Sequence, residues 1–134
     1  MADYTTPKQS DVCWVAASQV IKTPADTVHR VVKIPQLALV TDIIISKTVG
    51  FSLASATVTI GFTGNNETAD PDAFMSSVVF DPTRVGTASM KSDNMKYSAG
   101  KYFARAGGIT VTTNKNGGTA GTFQVFVVYT QIKQ

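Results

Sequence analysis

The stretch Gly121 to Ile132 (GTFQVFVVYTQI) limits the possible folds more than any other part of the chain. It reads as one β-strand with apolar side chains on both faces. Phe123, Val125, Val127 and Tyr129 point one way, and Phe126, Val128 and Ile132 the other, because side chains alternate along a strand. A half-exposed strand of an antiparallel sheet has one polar face. Here the second apolar face needs a cover. Another subunit is one candidate. The segment Val12 to Ile21, with Trp14, is an intramolecular alternative.

Composition agrees with a β fold. Val, Ile and Thr are abundant, Leu occurs only at Leu37, Leu39 and Leu53, and Glu only at Glu67. β-Branched residues suit pleated strands, whereas Leu and Glu are leading helix formers. The 134 residues fit one domain, long enough to bury a core without disulfides or metals. Residues 1 to 11 read as a flexible polar arm and residues 12 to 134 as a single domain. The arm carries no signal-peptide pattern, which points to a soluble, unsecreted protein. The single cysteine, Cys13, excludes an intrachain disulfide.

Along the chain, Val12 to Ile21 reads as a strand, and so does Thr27 to Ile34, with Val28, Val32 and Ile34 on one face. Leu37 to Val49 follows, with Leu39, Ile43 and Ile45 facing in and Val40 and Ile44 facing out. Ala54 to Phe62 places Val58, Ile60 and Phe62 inward. Thr63-Gly64-Asn65-Asn66 is turn chemistry. Asp70 and Pro71 have the pattern of an N-cap and first helical residue, which predicts a short helical turn near residues 71–77. Val78 to Phe80 reads as a brief strand. Thr83 to Gly100 reads as a long connection with one weak strand. Lys101 to Ala106 and Ile109 to Thr113 are strands, and Asn114 to Gly118 predicts a hairpin across which the last strand pairs back. Short strands separated by turns indicate an all-β chain, a single antiparallel β-sandwich of jelly-roll type.

No residue set looks catalytic, and none calls for a cofactor or metal. His29, the only histidine, stands inside a strand without triad or ligand partners. Glu67, Asp70 and Asp72 alternate as calcium ligands do, but the rest of an EF-hand loop is missing. Trp14, Tyr97 and Tyr102 are not spaced for one sugar-stacking platform. Net charge is +3, with the basic residues scattered, so a nucleic-acid groove is disfavoured. The most apolar region, Ile34 to Ile45, is too short to span a bilayer and contains Asp42. The candidate subunit-interface residues are Trp14, Phe126, Val128 and Ile132.

The runs Val31-Val32-Lys33-Ile34-Pro35, Leu37 to Ser46, Ala56 to Asn65, Pro71 to Met75 and Val127-Val128-Tyr129 come in an order that resembles small tailed-bacteriophage virion proteins. The resemblance spans roughly residues 27 to 132, apart from the Thr83–Gly100 connection. Several such proteins are capsid decoration, or cement, proteins. The resemblance implies a β-sandwich homotrimer, made in the host cytoplasm, that binds the major capsid protein on the outer surface of the head. A head fibre base, a tail protein and a carbohydrate-binding module are the alternatives.

Overall fold

The computed structural model describes residues 13–22, 24–76, 81–90, 97 and 99–131. The expected arm at residues 1 to 11, the strand at Val78 to Phe80 and Ile132 lie outside them. The described residues form ten strands: β1 (Cys13–Ala17), β2 (Ile21–Lys22), β3 (Val28–Ile34), β4 (Ala38–Val49), β5 (Thr57–Gly64), β6 (Asp70–Met75), β7 (Gly86–Ser89), β8 (Lys101–Phe103), β9 (Gly107–Asn114) and β10 (Thr122–Gln131). They form two antiparallel sheets. The larger runs β1-β10-β4-β7, with β2 also on β10 and β8 also on β4. The smaller runs β3-β9-β5-β6.

The sandwich follows from alternation. Val58, Ile60 and Phe62 of β5, Ile109 and Val111 of β9, and Phe123, Val125 and Val127 of β10 are all buried. They meet in one core with Ile34, Val40, Ile43, Ile45, Phe74 and Phe103. Each such side chain contributes about 1.5–3 kcal/mol by leaving water. Phe62 packs edge-on against Phe74, Tyr97 and Phe103, with ring centroids 6.1, 6.3 and 5.9 Å away. Edge-to-face packing is the favoured arrangement of aromatic quadrupoles.

Several elements differ from the sequence expectation. No described residue is helical, and Asp70–Met75 is a strand. Proline suits a sheet edge, where a missing donor costs no ladder bond. β6 is such an edge, and it bulges away from β5 between the pairs Ile60–Met75 and Phe62–Asp70. Its start crosses directly over Gly61, where a Cβ would lie 1.9 Å from the Asp70 carbonyl oxygen. Only glycine allows that approach.

The phase of two strands also changes. In β4 the residues of the Thr41–Asp42 step make a bulge against β10, so Val40 and Ile43 both point inward. Leu39 then faces out and Val40 in, the reverse of the alternation read from sequence. A bulge adds one residue and shifts the phase beyond it. In β3 a register shift between Arg30 and Val32 turns Val28 outward beside Thr112, while Val32 faces in beside Ile109.

The turn at Lys115 to Gly118 closes as expected, with Asn116 and Gly117 at positive φ and the Gly118 N–H on the Lys115 carbonyl at 3.0 Å. It does not make a hairpin. β9 pairs with β3 and β5, whereas β10 pairs with β1, β2 and β4. The turn carries the chain from one sheet to the other, because each apolar strand is stabilised by a different set of neighbours.

Candidate interaction surface

The outer face of the larger sheet includes three adjacent rows of cross-strand neighbours, bordered by the polar row Gln124–Ser46–Thr87. Residues directly paired across an antiparallel ladder share a face. One row is Tyr102–Leu39–Thr130–Cys13. The next is Asp42–Val128–Val15, and the third Ser89–Ile44–Phe126–Ala17. Leu39, Ile44, Phe126 and Val128 remain partly open to solvent. Val15 is 63% exposed and Tyr102 44%. Leu39, Ile44, Phe126, Val128, Val15 and Tyr102 thus form an apolar patch across four strands within a face that also carries polar residues, and Phe126 and Val128 stay incompletely covered.

One carboxylate interrupts this face, and it is satisfied. Asp42 Oδ1 accepts the Ile43 N–H at 2.8 Å, and the Ser89 hydroxyl donates to the same carboxylate at 2.9 and 3.0 Å. The bulge that turns Val40 inward is the same feature that presents Asp42 to Ser89.

The candidate interface residues separate. Phe126 and Val128 are neighbours on this outer face. Trp14 pairs with Tyr129, so it lies on the core side of the sheet. It is 48% exposed there because β1 forms the sheet's rim. Of the segment Val12 to Ile21, the described residues 13–21 extend the sheet through β1 and β2 instead of folding over the Phe126 face. Sequence reasoning missed Val15, Leu39 and Tyr102. The polar Thr41-Asp42 pair between two apolar doublets was the available sign that Leu39 and Val40 exchange sides.

Elsewhere the polar side chains serve the fold. The Lys101 ammonium is nearly buried, its side chain 8% exposed, and donates to Glu67 Oε1 and Oε2 at 3.1 and 2.9 Å. It also lies 4.5 Å from the Phe62 ring centre and 4.8 Å from that of Tyr97, in cation–π range. The Lys101 hydrogen bond holds the Glu67 carboxyl below its usual range, helped by the Asn65 amide and opposed by desolvation. Glu67 of the Glu67/Asp70/Asp72 group is thus committed to Lys101. Among the described residues, no three His, Cys, Asp or Glu side chains come together as a metal-holding group. His29 Nε2 donates to the Ala25 carbonyl at 3.0 Å, which ties the start of β3 to its preceding loop. The three aromatics considered for a sugar platform diverge: Trp14 at the rim, Tyr102 on the outer face, Tyr97 against the core.

No protein-family model matches the chain, and no curated protein sequence does. Its fold, however, is shared with chains of solved phage capsids. A chain of the acidic stable capsid structure of Helicobacter pylori bacteriophage KHP30 superposes with a TM-score of 0.65 at 14% identity, over 89% of this chain and 87% of that one. A chain of the cyanophage Pam1 capsid asymmetric unit gives 0.61 at 14%, over 98% and 94%. A chain of the capsid of Ralstonia phage GP4 gives 0.63 at 11%, over 99% and 93%. At such identities the likeness is one of fold.

Proposed function

We propose that the chain is a structural component of a phage head, a decoration protein that seats on the major capsid protein and performs no chemistry. One observation carries this reading: the fold is shared, over nearly the whole of both chains, with chains from three phage capsids. The outer face described above supports it, since an apolar patch that crosses four strands suits an assembly contact. In this reading the Phe126 face joins three copies, and the trimer binds the outer shell at local threefold positions. Three weak shell contacts held in one body act with high effective concentration. Binding the assembled shell better than free subunits stabilises the shell by linkage, about 2.7 kcal/mol per site at a hundredfold excess over Kd.

The test is electron microscopy of shells incubated with the purified protein, paired with their rupture temperature. The expected outcome is added density at local threefold positions over the entire head and a higher rupture temperature. Density confined to one vertex or to the tail would assign the chain to another virion part, and no binding to shells would overturn the assembly reading.

A further inference from the structure

Arg30 and Lys33 stand three residues apart in β3, a spacing that puts two side chains on opposite faces of a regular strand. The register shift between Arg30 and Val32 changes this. Arg30 pairs with Thr110 and Lys33 with Gly108, two residues of β9 that share a face, so both cations project from the outer side of the smaller sheet. Both are exposed. Beside them lies a hollow of about 440 Å³, and no carboxylate lines it. Arg30, Val31 and Lys33 form one side and Thr63 the other, with Gly108 between them. Gly108 opens the hollow, because it leaves a gap between its neighbours Lys33 and Thr63. Packing does not require glycine there. A Cβ on Gly108 would stand 3.4 Å from the Val32 carbonyl oxygen and 3.8 Å from Thr63 Cγ2, which are ordinary contacts. The adjoining glycines differ. A Cβ on Gly107 would lie 2.6 Å from the Thr63 carbonyl oxygen, and one on Gly64 2.7 Å from the Gly107 Cα. Close approach of strands accounts for those two and leaves Gly108 without a structural reason.

From this we infer that the hollow is a binding site for an acidic protein segment, one that sets a carboxylate against Arg30 and Lys33 and an apolar side chain against Val31 over Gly108. Two cations without a carboxylate in the lining call for negative charge, and a guanidinium can hold a carboxylate through two parallel hydrogen bonds. The Thr63 hydroxyl adds a donor that a second acceptor of the segment can use. The apolar wall between the charges selects a peptide over a phosphate chain. A nucleic-acid backbone is held by a longer track of cations with aromatic stacking platforms, and no aromatic ring lines the hollow. The site belongs to the smaller sheet, on the opposite side of the sandwich from Phe126, so one copy can engage both surfaces at once. It does not depend on attachment to a capsid.

The test is an amide chemical-shift titration of the isotopically labelled full chain. The probe is a blocked hexapeptide of Asp and Val residues, taken to millimolar concentration. Shifts are expected at Lys33, Thr63, Gly64, Gly107 and Gly108, and they should shrink as salt is added. Arg30→Gln and Lys33→Gln should each weaken binding about threefold. Gly108→Val fills the hollow without a backbone clash and should abolish binding in a chain whose spectrum is otherwise preserved. Arg84→Gln removes an exposed cation outside the hollow and should leave binding unchanged. A hexapeptide with Asn in place of each Asp should not bind. No shifts at these residues, undiminished binding by a folded Gly108→Val chain, or equal losses from Arg84→Gln and Arg30→Gln would overturn the assignment. So would a single-stranded oligonucleotide or inorganic phosphate that shifts these amides where the acidic peptide does not.

Discussion

Lys101 shows how a single charged residue can occupy a core position. Its place in β8, opposite Val40, aims the side chain inward, where a cation without partners would be strongly disfavoured. Glu67, the faces of Phe62 and Tyr97, and the turn that carries Glu67 together make the site tolerable. That turn is held in place by Asn65, at positive φ, whose side-chain oxygen accepts the Arg105 N–H at 2.9 Å and whose own N–H reaches the Ala106 carbonyl at 3.0 Å. The pH consequence has a definite sign. Glu67 is held below its usual range in the folded state, so its contribution is full above the unfolded pKa and is lost as pH falls through the folded one. Asp81 behaves in the same way, lowered chiefly by the Thr83 hydroxyl and N–H. Glu67→Gln should therefore lower the thermal midpoint at pH 7, and the gap to the parent chain should close as pH drops below the carboxylate range. A gap unchanged between pH 7 and pH 3 would mean that the Lys101–Glu67 charge pair contributes nothing.

At the scale of elements, the prediction concerns the strand β10. Phe126→Asp puts a carboxylate into the middle of the outer face, beside Ile44 and Ala17. Its side chain already has partial access to water, so the sandwich should survive. Light scattering should show loss of a threefold assembly, while far-ultraviolet circular dichroism keeps its β signal. If the contact fully buries Phe126, the loss per contact is roughly 1.5–3 kcal/mol. An unchanged mass would remove this face from the interface. The elements themselves were largely legible. Alternation placed the inward residues of β5 and β10, and Gly-Asn chemistry located both turns. Three things were not legible. The bulges in β3 and β4 shift phase by long-range pairing, which a local pattern does not encode. Asp70-Pro71 satisfies helix-start chemistry as well as edge-strand chemistry, and the crossing over Gly61 decides between them. The partner of β10 across the Asn116-Gly117 turn depends on sheet assignment, a property of the whole chain. For the candidate surface, Phe126 and Val128 were readable from alternation, but Val15 and Leu39 needed the pairing register.

At the scale of the molecule, the chain passes repeatedly from one sheet to the other. β3 and β4 lie in different sheets, as do β4 and β5, β6 and β7, β8 and β9, and β9 and β10. Most pairings thus join segments distant in sequence, such as Cys13 with Thr130 and Val28 with Thr112. Non-local pairing of this kind slows folding to the millisecond-to-second range, because loop-closure entropy is lost before contacts form. Stopped-flow refolding should show that range, and microsecond refolding would contradict the topology. The position of β10 has a consequence for synthesis. It is the latest described strand to leave the ribosome, yet it sits between β1 and β4 in the middle of the larger sheet. A nascent or truncated chain without it lacks, among the described strands, the one partner of β1 and β2, and has no Phe126–Val128 surface. The outer face on which the proposed assembly rests therefore forms only once β10 is in place, and copies ended before it lack that surface.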